Sequence, residues 1–280
     1  MPAKGDNLRL HTSKEKSFSG YSRDFDQARY VVLGFPYDRT STYRSGSALA
    51  PAAIREASAN IETYSIRSGI DVEDITICDV GDLNVVDSVS ETIRRLELVV
   101  RDIREAGKVP VLIGGEHTLT YGSVRGIGED VAVVDFDAHL DLRDEYMGEK
   151  LSHTTFMRRL AEQIGPERII EVGTRAVSKD ELQYAREAGI AFYSVFDIRK
   201  RGVEDVSHMI DSNLKFRKKY LTVDIDVLDP AYAPGVGNPE GDGLETFTLI
   251  DILERIVDKD LVGLDLVEVC PNYDNGTTTC

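Results

Sequence analysis

The sequence has 280 residues, of which 41% are hydrophobic and 29% are charged, a composition typical of a globular chain that can bury a sizeable core. No apolar run approaches the length of a membrane span, and the three cysteines are too few and too scattered for a disulfide framework or a zinc site. The formal net charge of −16 argues against a nucleic-acid partner and suits a cationic substrate, although an acidic surface kept for solubility explains it equally well.

Apolar patterning predicts that strands and helices alternate along the chain. Strands are predicted at residues 30–35, 75–79, 109–113, 131–134, 169–172, 191–195, 220–224 and 261–269. Helices are predicted at residues 51–58, from Ser88 or Ser90 to 107, and at 119–127, 154–163, 179–188, 203–214 and 249–257.

This alternation, without linker-like composition or internal repeats, predicts one doubly wound α/β domain over residues 1–280 with a mainly parallel sheet. Residues 1–28 are polar and mixed, and we interpret them as an irregular arm or an oligomer contact. Because the N-terminal residues include no apolar segment of the kind that directs secretion, a cytoplasmic location is expected.

The strand predicted at residues 131–134 is followed at once by acids and an imidazole. Asp137, His139 and Asp141 stand at alternate positions there, and carboxylate oxygens together with an imidazole nitrogen suit a divalent transition metal. Carboxylates this close repel one another unless a cation neutralises them. The pattern therefore predicts a metal site at the carboxyl end of this strand, where ligands bind in open α/β sheets.

Three further strand ends carry polar groups that a core would not tolerate unpaired: His117 behind Gly-Gly-Glu, Asp224 with Asp226, and Glu268. If these strands are neighbours, the side chains converge, and two imidazoles with four carboxylates can hold two divalent ions. Two such ions lower the pKa of a shared water and so supply a nucleophile for hydrolysis. A D-x-D pair alone could equally be a cap or a salt bridge, but the combination favours a metal site.

Several of these motifs resemble those of the ureohydrolases, the arginase/agmatinase family. They are Gly-Gly-Glu-His at 114–117, Asp-Ala-His-Leu-Asp at 137–141, Ser-His at 152–153 and the Asp-Ile-Asp-Val-Leu-Asp-Pro run that starts at residue 224. Residues 35–44, Glu-Thr-Tyr at 62–64 and Pro-Glu at 239–240 are similar to the agmatinase branch. The resemblance runs from about residue 34 to the end of the sequence.

The resemblance implies an arginase-like three-layer α/β/α sandwich with two Mn²⁺ ions. His117 and Asp141 would ligate one ion, His139 and Asp226 the other, and Asp137 and Asp224 would bridge them. The expected catalytic residues are Asp141, His153, as a proton shuttle on a mobile loop, and Glu268, as the partner of the substrate guanidinium. Without the family, His153 could be an ordinary residue near a helix start, and Glu268 a strand-end salt bridge.

The implied reaction is the hydrolysis of agmatine, or a related guanidine with an amine tail, to urea and a primary amine such as putrescine, in a trimer or hexamer. We weigh N1-aminopropylagmatine, guanidinobutyrate and arginine as other substrates; arginine is less favoured because residues 142–146 carry two acids against one arginine, which suits an amine tail. A metal-binding pseudoenzyme with a regulatory role is the alternative from another class. A two-metal phosphoesterase is disfavoured because no phosphate-binding glycine loop is found.

The sequence departs from the family pattern in the loop at 237–244 and at the C-terminus. Asn238 replaces a threonine there, and Asp242 is expected to bring a carboxylate to the pocket mouth, where it would favour a longer or more highly charged polyamine tail. The helix with which the family continues after residue 280 is expected to be absent.

Overall fold

The computed structural model describes residues 6–14, 16–128, 130–214 and 218–280. The strands are β1 Thr12–Ser13, β2 Tyr30–Gly34, β3 Tyr64–Ser65, β4 Ile70–Asp71, β5 Ile77–Leu83, β6 Val109–Ile113, β7 Ala132–Phe136, β8 Ile169–Thr174, β9 Ala191–Ser194, β10 Lys219–Asp224 and β11 Leu261–Val267. The helices are α1 Asp6–His11, α2 Ala50–Ser58, α3 Val89–Glu105, α4 Leu119–Ile127, α5 Phe156–Ile164, α6 Lys179–Ala188, α7 Val195–Arg201, α8 Val203–Asn213 and α9 Thr246–Ile256.

Nine strands form one central sheet in the order β1-β5-β2-β6-β11-β10-β7-β8-β9. Every neighbouring pair in it is parallel except β1 and β5. β3 and β4 form a separate antiparallel hairpin. The order places β11, the last strand in the chain, between β6 and β10, so the carboxyl ends of β6, β11, β10 and β7 lie side by side.

Helices cover both faces of the sheet and give the predicted three-layer α/β/α sandwich. Consecutive side chains of a strand point to opposite faces, so Val133 and Val134 belong to different apolar clusters. Helices α2, α7, α8 and α9 contribute buried side chains to one face, and α3, α4, α5 and α6 contribute to the other. In α3 the predicted spacing is confirmed, because Ile93, Leu96 and Val100 are all buried.

The predicted strand at 191–195 ends one residue early, and a helix that the sequence pattern did not predict follows it. Ser194 begins α7 with a capping box, in which its hydroxyl accepts from Asp197 N and the Asp197 carboxylate accepts from Ser194 N. The apolar Val195 continues the strand pattern in sequence although it already belongs to the helix, and this explains the missed boundary.

The interpretation of residues 1–28 as an irregular arm is wrong for residues 6–13, which form α1 and β1, while residues 1–5 and 15 lie outside the described residues. The alternative of an oligomer contact stays a prediction. Helix α1 packs on α3, where the Asp102 carboxylate accepts hydrogen bonds from Asn7 N and Asn7 Nδ2 at 2.9 and 3.1 Å. Strand β1 then pairs with residues 82–83 of β5. This pairing explains why β5 extends to Leu83 and not only to residue 79.

Within the described ranges, the structure contains no helix with the length and apolar character that crossing a bilayer requires.

Candidate metal centre

Each of the four adjacent central strands delivers predicted site residues to the same edge of the sheet. His117 follows β6, Glu268 follows β11, Asp224 ends β10 and Asp137 follows β7 directly. The side chains of all four are buried. The convergence that the sequence analysis made conditional on strand order is therefore present.

The turn between β6 and His117 depends on its two glycines. Gly114 and Gly115 adopt φ angles of 73° and 87°, a region in which side chains are strained. A Cβ at Gly114 would collide with the Ala50 side chain, and one at Gly115 would collide with the Phe35 carbonyl. The pair lets the chain turn tightly enough to aim His117 across the strand ends.

The first group of candidate ligands surrounds His117. Its Nδ1 lies 3.1 Å from Asp137 Oδ2, 3.4 Å from Asp224 Oδ2 and 3.6 Å from Asp141 Oδ2. Asp141 has a φ of 49°, so its backbone is held in an unfavourable conformation in the cluster. One ligand atom each from His117, Asp137 and Asp141 lie within 4.8 Å of one another, close enough to share a metal ion.

The second group shares Asp137 with the first. His139 Nδ1 lies 3.2 Å from Asp137 Oδ1 and 3.2 Å from Asp226 Oδ2, and these three residues also offer atoms within 4.8 Å of one another. The two carboxylate oxygens of Asp137 thus face different imidazoles. This arrangement suits a carboxylate that bridges two cations.

The buried carboxylates and imidazoles of this cluster shift one another's pKa values. Burial and the neighbouring Asp137 charge raise the pKa of Asp141 well above its usual range. Burial and the Asp226 charge do the same to the pKa of Asp224. Burial alone would lower the pKa of His117, but the surrounding carboxylates raise it. A divalent cation among these groups would favour the ionised carboxylates and the neutral imidazoles.

A buried network behind His117 fixes which of its nitrogens faces the cluster. Thr222 Oγ1 donates to Asp265 Oδ1 at 2.5 Å and lies 2.7 Å from His117 Nε2. Because the Thr222 hydroxyl has one proton and donates it to Asp265, Nε2 must be the donor to Thr222. In the neutral ring Nδ1 is then the nitrogen with the lone pair, which is the atom that a metal ion needs. Neither Nδ1 nor the buried Asp137 Oδ2 makes a hydrogen bond. A divalent cation would satisfy both atoms.

The imidazole of His153 lies in a pocket of hydroxyl groups that the sequence analysis did not identify. Its Nδ1 is 3.1 Å from Thr40 Oγ1 and its Nε2 is 3.2 Å from Thr42 Oγ1. Burial lowers the pKa of His153 to about 4, so the ring is neutral at pH 7. Both threonines lie in residues 35–44, the segment that resembles the agmatinase branch, and this resemblance is the sequence signal that could have placed them at the site.

Glu268 is buried at the inner end of the same site. It has a φ of 61°, which is unfavourable for a residue with a side chain, and its Oε1 accepts a hydrogen bond from His117 N at 2.9 Å. Burial raises the pKa of Glu268 to about 8. A cation placed against this carboxylate would restore its negative charge.

A cavity of about 350 Å³ opens beside these residues. It is lined by Thr42, His139, Asp141, Arg143, Tyr146, His153, Thr154, Ala176, Val177, Ser178, Glu181, Asp224, Asp226, Asn238, Glu240 and Glu268. The lining joins candidate ligands, His153 and Glu268 in one space, and its charged lining residues outside the ligand groups include the partly exposed Arg143 and Glu240.

Two expectations about the mouth of this cavity are wrong. Asp242 does not line it, because its carboxylate turns outwards and pairs with Arg199. The acids at 144 and 145 do not line it either, and Asp144 pairs with Arg159 at 2.6 Å. The member of that loop whose charge faces the cavity is Arg143.

Known proteins share the sequence and the fold. A sequence profile of the Arginase family matches residues 28–280. The chain is 37% identical over 261 residues to a Bacillus anthracis protein named agmatinase, spanning 91% of this chain and 88% of that protein. It is 33% identical over 248 residues to the N(1)-aminopropylagmatine ureohydrolase of Thermococcus kodakarensis, spanning 87% and 83% respectively. The crystal structure of the agmatine ureohydrolase of Thermoplasma volcanium superposes with a TM-score of 0.88 at 40% identity, covering 97% of this chain and 92% of that chain.

Proposed function

The chain belongs to the arginase family, and we propose that it hydrolyses agmatine, or a related guanidine with an amine tail, to urea and a primary amine such as putrescine. Its likeness to agmatinases and to an aminopropylagmatine ureohydrolase identifies it as a hydrolase of guanidino groups. One observation carries the proposal: the two ligand groups, which share Asp137, and the buried Glu268 lie at the same cavity.

The donor set fits two divalent ions. Two nitrogens and four carboxylates are gathered, and the buried His117 Nδ1 and Asp137 Oδ2 have no hydrogen-bond partner. His117 and Asp141 would hold one ion and His139 and Asp226 the other, with Asp137 and Asp224 shared between them. Bound there, two manganese ions would lower the pKa of a water and polarise the guanidinium group. Manganese is our assignment, since carboxylate and imidazole ligands also accept iron, cobalt, nickel or zinc.

Glu268 binds and orients the guanidinium in this proposal. A carboxylate and a guanidinium form a planar pair, and the burial of Glu268 strengthens their attraction because little solvent screens it. Contact with the cation lowers the pKa of Glu268 and keeps it ionised. The substrate carbon is then held over the candidate ligands.

In this proposal His153 transfers a proton from the attacking water to the leaving amine. Water adds its oxygen to the guanidinium carbon, the bond from that carbon to the substituted nitrogen breaks, and the nitrogen leaves as an amine once it gains a proton. The neutral imidazole of His153 can take a proton and pass it on, because it lines the cavity and is unprotonated at pH 7.

The proposal is tested by urea release from agmatine, arginine, guanidinobutyrate and N1-aminopropylagmatine. The protein is first stripped of metal and reloaded with manganese, and its metal content is measured in parallel. We expect about two metals per chain and a preference for an amine-tailed substrate. Bound metal without urea from any substrate would favour the regulatory pseudoenzyme, and absence of bound metal would contradict the metal centre itself.

A trimeric or hexameric assembly, a cytoplasmic location and the absence of a nucleic-acid partner stay predictions. Light scattering on the purified protein would test the assembly directly.

A further inference from the structure

We propose that Glu240 binds the positively charged end of the substrate tail and so selects guanidines with a terminal ammonium group. This inference rests on the proposed function, since it assumes a guanidinium at Glu268. It replaces the expectation that Asp242, two residues further on, would serve this purpose.

The charges at the cavity mouth single out Glu240. Among the described residues that line the cavity, Arg143 alone carries a fixed positive charge, and its Nη2 lies 3.5 Å from Glu181 Oε2. The buried Glu181 carboxylate also accepts from Leu142 N and Ser178 N, so it is fully engaged. With Glu268 assigned to the guanidinium, the remaining carboxylate outside the ligand set is Glu240.

Glu240 has no cation of its own within the described part of the chain. Its one ion-pair contact is to His139, whose Nε2 lies 3.8 Å from Glu240 Oε1, beyond hydrogen-bond distance. That nitrogen is on the side of the ring away from the ligand atom Nδ1. Glu240 is therefore outside the ligand cluster, partly exposed, and free to receive an ammonium group.

The backbone of Glu240 is held rigidly, as a selective contact requires. Arg175 donates from Nη2 to the Glu240 carbonyl at 2.8 Å and from Nε to the Gly241 carbonyl at 3.0 Å. The same Nη2 donates to the Asp226 carbonyl at 2.7 Å. One guanidinium thus ties the segment that carries Glu240 to the turn that carries a candidate metal ligand, and the distance between tail site and metal centre is fixed.

The test compares three guanidines that each carry a chain of four carbon atoms with a different end. The chain of agmatine ends in an ammonium group, the fourth carbon of 4-guanidinobutyrate is a carboxylate, and the fourth carbon of butylguanidine is a methyl group. We expect Glu240→Gln to lower kcat/KM for agmatine by about 10- to 100-fold, the range of a lost charged contact, and to leave that for butylguanidine unchanged. The preference of the wild-type protein for agmatine over guanidinobutyrate should shrink accordingly.

The matched control is Asp242→Asn, which removes a carboxylate from the same loop outside the cavity. Asparagine tolerates the φ of 65° found there, and the lost ion pair with Arg199 is exposed, so we expect unchanged selectivity. Equal loss on all three substrates with Glu240→Gln would overturn the inference, because it would mean that Glu240 acts through His139. No loss on any of them would overturn it as well.

Binding of the manganese-loaded protein to 1,4-diaminobutane and to butylamine, measured by calorimetry, provides a second readout without turnover. Weaker binding of the diamine alone in Glu240→Gln supports the inference even if the wild-type protein releases no urea, in which case only the proposed function fails. If the wild-type protein hydrolyses agmatine but Glu240→Gln changes the affinity for both amines equally, the proposed function holds and Glu240 does not bind the tail.

Discussion

Thr40 donates two hydrogen bonds to Glu116, from its backbone N to Oε2 at 2.7 Å and from its hydroxyl to Oε1 at 2.8 Å. The same hydroxyl accepts from His153 N at 3.0 Å and lies 3.1 Å from His153 Nδ1. Since its single proton goes to Glu116, Nδ1 must be the protonated nitrogen of His153. Nε2, which lies 3.2 Å from Thr42 Oγ1, then carries the lone pair that a proton shuttle needs.

Replacing Thr40 with valine should therefore affect both stability and catalysis. We expect Thr40→Val to lower the free energy of unfolding by about 1–3 kcal/mol, because the buried Glu116 loses a donor, and to lower kcat several-fold. Urea denaturation and steady-state kinetics measure the two effects. Thr42→Val is the matched control. The Thr42 hydroxyl contacts His153 but not Glu116, so this variant should lose less stability than Thr40→Val. Equal losses would contradict the role given to Glu116.

The buried His153 should make the protein less stable in mild acid. Its pKa is about 4 in the folded chain and about 6.5 when unfolded, so between these values the unfolded chain binds more protons. The contribution is complete above about pH 6.5 and is lost as the pH falls towards 4. Between pH 7 and pH 5 the wild-type protein should lose about 2 kcal/mol more than His153→Asn, which cannot titrate.

Urea denaturation of both proteins at the two pH values, each free of metal, would show this difference. Parallel losses in the two proteins would mean that His153 is not the group that keeps a lowered pKa.

Removing Asp137 should disturb metal binding more than removing Asp141. Asp137 belongs to both ligand groups, whereas Asp141 belongs to one. We expect elemental analysis to find about two manganese ions in the wild-type protein, about one in Asp141→Asn and little in Asp137→Asn. Asp144→Asn, whose exposed carboxylate pairs with Arg159, should keep both ions. Full occupancy in Asp137→Asn would rule out its bridging role.

Glu268→Gln should separate substrate binding from metal binding. Glutamine keeps an oxygen that can accept from His117 N but loses the charge that pairs with a guanidinium. We expect kcat/KM to fall by about 100-fold, mainly through KM, with manganese content unchanged. Loss of manganese from this variant would instead assign Glu268 the structural task of holding the His117 backbone.

The sequence predicted which side chains come together because the relevant pattern is local. A buried strand followed directly by Asp137, His139 and Asp141 needs no distant information, and parallel strands bring such ends together. The threonines around His153 escaped prediction because they come from a loop more than 100 residues away. The expectation that Asp242 lies at the cavity was wrong for the same reason. Its partner, Arg199, lies on α7, a helix that the apolar pattern did not predict.

The insertion of β11 between β6 and β10 also determines when the centre can form during synthesis. Until β11 leaves the ribosome, the nascent sheet is divided into one block of β1, β2, β5 and β6 and another of β7, β8, β9 and β10. His117 then belongs to one block and Asp137 and Asp141 to the other, so the ligand group around His117 cannot be completed, whereas the group of Asp137, His139 and Asp226 lies within the second block. The unpaired edges of β6 and β10 meanwhile offer sites for intermolecular pairing, and closure by β11 removes this hazard as it assembles the metal centre.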